Sequence, residues 1–246
     1  MCKTELKLEY AICENKNNGI PVIVAAAGSS SRMNGVNKQM LLLGGIPVLA
    51  RTLLQFERNE KISRIIVVTK KENILEIQNM IEKYMISKVS DVVEGGDTRQ
   101  ESVLNGLKML SCKEKNVLIH DGARPLITQQ VINNVILALE KCVAVTCAVK
   151  IKDTIKLVDE NGKAVKTLNR ENLVAVQTPQ GARVQEYLKA IEQADISKYT
   201  DDTAILEAAG YDVYTVEGSY KNIKITTLED IALAEGYLNE EAEECE

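Results

Sequence analysis

Short runs of β-branched and aliphatic residues alternate along the chain with longer stretches in which apolar residues recur every three or four positions. The first pattern is typical of strands buried on both faces, and the second is typical of amphipathic helices. Their alternation from Pro21 onward predicts an α/β fold built from βαβ units around a mostly parallel sheet. The predicted strands are residues 22–25, 65–69, 89–93, 117–120, 143–149, 175–177 and 213–216, and the predicted helices are residues 47–57, 73–83, 99–110, 128–141, 184–193, 203–209 and 228–238.

One segment, residues 150–173, interrupts this alternation. It has the pattern of two short strands around a turn at residues 159–162, where Asn161-Gly162 is a strong hairpin signal. The segment carries too many charged side chains to be core, so we expect it to form a β-arm that projects from the domain. Its charged residues include Lys152, Asp153, Lys156, Lys163, Lys166 and Arg170.

Length and composition favour one domain. A chain of 246 residues, of which 45% are hydrophobic, can bury one sizeable core. We found no internal repeat and no low-complexity linker, so we expect a single domain at residues 20–238. Residues 1–19 are polar and resemble neither a secretory signal nor a transit peptide. We expect them to be a flexible extension, and residues 239–246 to be a flexible acidic tail.

Charge and cysteine usage exclude several classes of function. The net charge of −5 provides no field for nucleic acid or an anionic membrane, and no apolar run approaches the roughly 20 residues that span a bilayer. With one histidine and no C-x-x-C pair, a structural zinc site is a poor alternative. We therefore expect a cytoplasmic protein with free thiols. The cysteines are Cys2, Cys13, Cys112, Cys142, Cys147 and Cys245.

The strongest local motif is the run of small residues that follows the first predicted strand. Such residues let a backbone approach a ligand closely, and the N–H groups of the loop can surround phosphate oxygens. Arg32 and Lys38 add two cations to this segment. The pattern differs from both the Walker A loop and the dinucleotide-binding G-x-G-x-x-G. The run is Ala25, Ala26, Ala27 and Gly28.

Two further loops follow predicted strands and carry polar residues. Gly95-Gly96-Asp97 precedes a helix start that contains Ser102, and Asp121 and Arg124 follow the next strand. Ligands of open α/β sheets bind beyond the carboxyl ends of the strands. We therefore expect the three loops to meet at one crevice.

The ordered motifs resemble those of the 2-C-methyl-D-erythritol 4-phosphate cytidylyltransferases, from about Pro21 to Leu238. Each motif alone is weak, but their order and spacing together are specific. They are A-A-A-G-x-x-x-R-M, Lys38-Gln39, Gly95-Gly96-Asp97, Ser102-Val103, His120-Asp121-x-Ala123-Arg124-Pro125, Asp153-Thr154, Asn169-Arg170, Gln177-Thr178-Pro179-Gln180, Thr200-Asp201-Asp202 and Asn222-Ile223-Lys224.

The resemblance implies a single three-layer, Rossmann-like nucleotidyltransferase domain that forms a homodimer through its arm. It implies transfer of the cytidylyl group of CTP to 2-C-methyl-D-erythritol 4-phosphate, with pyrophosphate released, in the non-mevalonate route to isoprenoid precursors. A divalent cation, usually Mg²⁺, is expected to be held largely by the CTP phosphates.

The resemblance also implies roles for individual residues. Arg32 and Lys38 match residues that neutralise the triphosphate in the transition state, and Arg170 and Lys224 match those that orient the acceptor phosphate. Arg170 and Thr154 are expected to cross from the arm into the neighbouring subunit's site. The CTP site is expected to contain Ala25, Ala26, Ala27, Gly28, Arg32, Lys38, Gly95, Asp97, Ser102 and Asp121, and the acceptor site Asp121, Arg124, Thr154, Arg170, Thr178, Thr200 and Lys224.

Two alternative functions remain open from the sequence. A ribitol 5-phosphate cytidylyltransferase shares much of the pattern, although the three alanines before Gly28 and Ala123 argue against it. A non-catalytic nucleotide-binding module on the same fold is a second alternative, since fold does not fix function. His120 could serve as a general base, but a phosphate monoester is already an adequate nucleophile, so we expect His120 to be structural.

Overall fold

A computed structural model describes residues 19–28 and 37–243. It contains a seven-stranded sheet in the order β11-β7-β10-β6-β1-β4-β5. Its strands are β1 (Ile20–Ala25), β4 (Ile62–Thr69), β5 (Val89–Glu94), β6 (Asn116–Asp121), β7 (Ala144–Lys150), β10 (Val174–Arg183) and β11 (Val213–Glu217), and two hairpins are formed by β2 (Leu42–Leu43) with β3 (Ile46–Pro47) and by β8 (Lys156–Val158) with β9 (Ala164–Thr167).

Helices cover both faces of the sheet, as the buried aliphatic strands require. One core contains Leu53 and Val135 against Val24 and Leu118, and the other contains Val103 and Tyr187 against the opposite sheet face. The predicted three-layer α/β fold is therefore confirmed. The helices are α1 (Val48–Glu57), α2 (Ile74–Lys83) and α4 (Gln129–Leu139) on the first face, α3 (Arg99–Leu107), α5 (Val184–Gln193) and α6 (Asp202–Ala208) on the second, and the final helix α7 (Leu228–Glu243).

Strand β10 runs antiparallel to both of its neighbours, β6 and β7, whereas the other pairs in the sheet are parallel. The sequence predicts only residues 175–177 as this strand. The observed strand continues to Arg183. After an irregular stretch that contains Pro179, the residues from Gln180 onward pair with β6 and β7, and this pairing outweighs the low strand propensity of Gly181.

The arm forms as predicted. Strands β8 and β9 pair antiparallel around Gly162, which adopts a φ of +80°. The Asp159 carboxylate accepts hydrogen bonds from the N–H groups of Asn161 and Lys163. The side chains of both strands are exposed. The arm therefore lies outside the two hydrophobic cores of the domain.

The C-terminal helix differs from the prediction. Helix α7 was expected to end at Leu238 before a flexible acidic tail, but it continues to Glu243. Glu and Ala are favourable helix residues, so the acidic composition does not end the helix. Ala234 packs with Leu43 and Ile225 in a third buried cluster. Residues 1–18 of the predicted extension at residues 1–19, and the last three residues of the chain, lie outside the described residues.

Two of the predicted free thiols, Cys142 and Cys147, belong to the hydrophobic core. Cys147 is buried in β7, and Cys142 packs partly buried against the same core. Burial raises the pKa of the Cys147 thiol to about 12, so it stays protonated and unreactive at neutral pH. Among the described residues, no helix is both long enough and apolar enough to span a bilayer.

Candidate active site

The carboxyl ends of β1 and β6 meet at the centre of the sheet. Ala25 at the end of β1 pairs in register with Asp121 at the end of β6, and the Gly122 N–H donates to the Ala25 carbonyl at 2.9 Å. The chain leaves β1 toward β4 on one side and leaves β6 toward β7 on the other. This is the topological switch point at which open α/β sheets bind ligands.

A cleft of about 670 Å³ opens above this point. Its walls come from the three predicted loops, from the segment after β4 and from the segment before α7. They combine small residues with several cations, which suits a polyphosphate. The lining residues are Ala25, Ala27, Gly28, Lys38, Gln39, Lys70, Lys71, Glu72, Glu94, Gly95, Gly96, Asp97, Thr98, Arg99, Ser102, Asp121, Ala123, Lys224 and Thr226.

Of the predicted CTP residues, Ala26 is placed differently from its neighbours. Its side chain is buried in the core, and its N–H donates to the Val68 carbonyl at 2.7 Å. It therefore supports the strand end from beneath and is not among the cleft residues. Arg32 lies outside the described residues.

Gly95, in the second predicted loop, allows this loop to approach the first. A Cβ at this position would lie 2.6 Å from the Ala27 Cβ and 2.7 Å from the Ser102 Oγ. The Ser102 hydroxyl donates to the Thr98 carbonyl and accepts from the Gly96 N–H. Thr98 also begins α3 with a capping box completed by Glu101. These contacts fix the cleft wall that carries Asp97 and Arg99.

A smaller pocket of about 280 Å³ adjoins the cleft. Arg99, Asp121 and Lys224 line both spaces and so divide them. Five predicted acceptor residues line the smaller pocket, namely Asp121, Arg124, Thr178, Thr200 and Lys224. The remaining lining residues are Arg99, Val176, Gln177, Gln180 and Asp201.

Asp121 is the charged centre of the dividing wall. Its Oδ2 lies 2.9 Å from the Lys224 Nζ and 3.4 Å from the Arg124 Nε, and its Oδ1 lies 3.3 Å from the Arg99 Nε. Burial alone would raise the pKa of Asp121, but Arg99, Lys224 and Arg124 outweigh it and hold the pKa well below its ordinary value. Asp121 is therefore ionised at neutral pH and partly neutralises three cations.

His120 supports this wall from below, as expected for a structural residue. Its Nδ1 lies 3.1 Å from the Thr178 Oγ1, its Nε2 lies 3.3 Å from the Arg124 carbonyl, and its ring packs edge-on against Phe56. Burial lowers the pKa of His120 to about 3. The ring is therefore neutral, and it reaches neither pocket.

The segment that carries Lys224 is held by a buried amide. Asn222 donates to the Thr178 carbonyl at 2.9 Å, and the Asn222 carbonyl accepts from the Arg124 Nη1 at 2.8 Å. The Ile225 N–H then donates to the Ala123 carbonyl. Lys224 therefore sits between two fixed backbone attachments, which aim its side chain at Asp121.

The two arm residues of the predicted acceptor site are placed apart from it. Within the described part of this chain, Thr154 and Arg170 line neither pocket. Both are exposed, and the Arg170 Nη1 donates to the Lys152 carbonyl within the arm at 2.7 Å. A single chain therefore brings together the acceptor residues of the domain but not those of the arm.

Arg99 is a charged site residue to which sequence reasoning gave no role. It begins α3, and besides Asp121 it contacts Asp202, whose Oδ2 lies 2.8 Å from the Arg99 Nη2. Its position in a helix start after a glycine-rich turn was visible in the sequence. Its two carboxylate partners were not, because both lie far from it along the chain.

The described residues contain no group of three metal-ligating side chains. Asp121, the acidic residue at the junction, is already occupied by three cations. The carboxylates of the described residues therefore do not by themselves form a magnesium site.

A switch-point cleft for a polyphosphate beside a second cationic pocket defines the site of a nucleotidyltransferase. Residues 20–240 match the family model of IspD, 2-C-methyl-D-erythritol 4-phosphate cytidylyltransferase. The chain belongs to this family.

Individual relatives agree with the family match. The Clostridium novyi (strain NT) enzyme of this name is 46% identical over 220 residues, which cover 88% of this chain and 95% of the relative. The Bacillus mycoides (strain KBAB4) enzyme is 43% identical over 221 residues, covering 89% and 97%. The solved 4-diphosphocytidyl-2C-methyl-D-erythritol synthase of Anaerococcus prevotii superposes with a TM-score of 0.81 at 36% identity, covering 91% of this chain and 97% of that one. These matches favour the erythritol family over the ribitol alternative.

Proposed function

We propose that the chain transfers the cytidylyl group of CTP to 2-C-methyl-D-erythritol 4-phosphate, giving 4-CDP-2-C-methyl-D-erythritol and pyrophosphate. This is a step of non-mevalonate isoprenoid precursor synthesis. The observation that carries the proposal is the pair of adjoining pockets that share Arg99, Asp121 and Lys224. A cytidylyl donor in the larger cleft and a phosphate acceptor in the smaller pocket would meet at this wall.

The chemistry is an in-line attack of the acceptor phosphate on the α-phosphorus of CTP. The two substrates are polyanions, so positioning and charge neutralisation supply most of the catalysis. Lys38, in the larger cleft, and Arg32 would neutralise the triphosphate. Arg124 and Lys224, in the smaller pocket, would bind the acceptor phosphate, and the Thr178 and Thr200 hydroxyls would meet the polyol.

We assign Mg²⁺ to the CTP phosphates, because Mg²⁺ is commonly bound through substrate phosphates with few protein ligands. No step is assigned to an ion held by the protein. The free-thiol cysteine pattern favours the reducing cytoplasm as the place of the reaction.

The acceptor site is proposed to be completed by a second copy of the chain. Arg170 and Thr154 lie on the exposed arm and away from their own chain's pockets. The arm and its base also expose Leu157, Val165 and Val174. Apolar side chains on a projecting hairpin suit a symmetric dimer contact, in which each arm would reach the partner's smaller pocket.

The test is pyrophosphate release from CTP and Mg²⁺, with 2-C-methyl-D-erythritol 4-phosphate and D-ribitol 5-phosphate supplied separately at equal concentration. Release with the erythritol substrate alone is the expected result. A preference for ribitol 5-phosphate would contradict the proposed acceptor but retain the mechanism. Release with neither acceptor would favour a nucleotide-binding module.

A further inference from the structure

Arg99 has a different environment from the other two cations on Asp121. Arg124 and Lys224 both approach the Oδ2 atom, whereas Arg99 approaches Oδ1. The Arg99 guanidinium also contacts the buried Asp202, and its Nη1 has no hydrogen-bond partner among the described residues. Arg99 therefore joins the wall between the pockets to a group inside the domain.

That internal group, Asp202, is held by hydrogen bonds through both its carboxylate and its backbone N–H. The Tyr187 hydroxyl donates to the Asp202 Oδ1 at 2.8 Å, and the Asp202 N–H donates to the Gln180 Oε1 at 2.8 Å. Tyr187 and Asp202 are both 1% exposed. Burial and the neighbouring Asp202 raise the pKa of Tyr187 well above its ordinary value, so its hydroxyl remains a donor. Tyr187 and Gln180 thus hold Asp202 in place, and Asp202 fixes one end of the Arg99 guanidinium.

The charges around Asp121 suggest a division of roles. An acceptor phosphate in the smaller pocket would draw Arg124 and Lys224, whose side chains line it. Asp121 would then lose the cations on Oδ2 but keep Arg99 on Oδ1. Without that permanent partner, a buried carboxylate would compete with the phosphate for Arg124 and Lys224, because an unpaired buried charge is costly.

We propose that Arg99 is a positioning residue, anchored by Asp202 and Tyr187, that holds Asp121 in the wall between the pockets and leaves Arg124 and Lys224 available to the acceptor phosphate. The inference rests on the proposed placement of the acceptor in the smaller pocket. It assigns Tyr187, which touches neither pocket in the described structure, a measurable influence on acceptor binding.

The test compares steady-state kinetics of Tyr187→Phe, Arg99→Lys and the double variant, with each substrate varied in turn. Tyr187→Phe should raise the KM for 2-C-methyl-D-erythritol 4-phosphate about fivefold, a typical size for coupling through a supporting residue. Arg99→Lys keeps the charge but loses the two-carboxylate fork, so it should raise that KM roughly tenfold or more. The KM for CTP should stay within about twofold in Tyr187→Phe, because Tyr187 does not line the larger cleft.

The double variant decides whether Tyr187 acts through Arg99. If it does, the double variant should have the acceptor KM of Arg99→Lys alone, since residues acting as one unit are not additive. An acceptor KM in the double variant that rises by the product of the two single effects would overturn the proposal. So would an unchanged acceptor KM with only a lower kcat, because loss of folded enzyme lowers kcat without changing KM.

Arg64→Lys provides the matched control. Arg64 also bridges two acidic residues, Asp91 and Glu114, but near the amino end of β4, away from the pockets. Its replacement should leave both KM values unchanged. Tyr187→Phe retains the aromatic ring, so its ratio of acceptor KM to CTP KM decides the question even if an Arg99 variant fails to fold. Failure of the proposed function is a separate result, namely no turnover of the erythritol substrate by the unaltered enzyme.

Discussion

The Lys224 Nζ lies 2.9 Å from the Asp121 Oδ2, which joins the segment before α7 to the end of β6. Two elements that are distant in sequence thus meet at the wall between the pockets. We expect Lys224→Ala to lower kcat/KM for the acceptor about 10²-fold, the typical loss when one preorganised donor is removed. Steady-state rates of pyrophosphate release measure this loss of kcat/KM.

Lys221→Ala is the control for this prediction. Lys221 lies three positions earlier and pairs with Glu240 on α7, outside both pockets. It should retain nearly normal turnover. Equal losses in the two variants would indicate a folding defect and not a role of Lys224 in binding the acceptor.

Lys38 is expected to act on the nucleotide side of the wall. Lys38→Ala should lower turnover about 10²-fold or more, because a cation placed at the triphosphate stabilises the charge that develops in the transition state. Lys61→Ala, an exposed lysine at the amino end of β4, is the matched surface control. Normal turnover in Lys38→Ala would remove it from the proposed mechanism.

A shared acceptor site predicts complementation between two inactive variants. Arg170→Ala alters the arm, and Lys224→Ala alters the pocket, so a mixed dimer would contain one site with neither change. Equal mixing with free subunit exchange should recover about a quarter of full activity, because half of the dimers are mixed and each has one intact site of two. No recovery despite proven exchange, or full activity in a strictly monomeric protein, would contradict the shared site.

Gly95 should tolerate no side chain. Gly95→Ala places a Cβ 2.6 Å from the Ala27 Cβ, which forces apart two loops of the cleft. We expect the KM for CTP to rise about tenfold, in line with the roughly 1–3 kcal/mol cost of overpacking. Gly236→Ala in α7 is the control: its Cβ meets no atom within 4 Å, so the variant should be stabilised by about 0.5–1 kcal/mol with unchanged kinetics.

The free energy of unfolding should depend on pH because His120 is buried. Its folded pKa is about 3 against an ordinary value of 6.5, so the unfolded chain binds a proton in this window and the folded protein does not. The contribution to stability is complete above about pH 6.5 and is lost as pH falls toward 3. Between about pH 7 and about pH 5, the free energy of unfolding should fall by about 2 kcal/mol from this group.

His120→Asn removes this titration and leaves a polar side chain. Denaturant unfolding at the two pH values should give a smaller loss of stability in the variant than in the unaltered protein. The comparison uses the change with pH and not absolute stability, since the substitution also alters packing. An equal loss in both proteins would show that other groups account for the acid sensitivity.

Much of the fold follows from local pattern. Continuous aliphatic runs and stretches of helical period locate the seven strands of the main sheet and the seven α-helices of the described residues, because the central strands bury both faces and each helix buries one. The hairpin β2–β3 was not predicted, although Gly44 and Gly45, both with positive φ, offered the turn signal. The full length of β10 had no local signal, since Pro179 and Gly181 disfavour a strand and the residues from Gln180 onward form one only through pairing with β6 and β7.

The candidate site also contains residues that the sequence could indicate and residues that it could not. Residues within contiguous motifs, such as Gly95 and Asp121, could be proposed from the sequence because each follows a strand. The role of Arg99 could not be predicted from the sequence, because it depends on a carboxylate at the end of β6 and another at the start of α6. Ala26 was grouped with its neighbours, since a sequence motif does not show which of its amides the sheet already uses.

The pairing of strand β10 limits which part of the smaller pocket can be mutated to change the acceptor. Being antiparallel, it contributes Gln180 to the smaller pocket at a position that pairs with both Ile119 of β6 and Thr146 of β7, and it contributes Thr178 from the irregular stretch just before these pairs. The floor of that pocket at Gln180 therefore cannot shift without disturbing the pairing of β10 with both neighbours. An engineer who wants a longer or shorter polyol to fit should vary the rim around Thr200, where the chain forms a surface bend, and leave the floor intact.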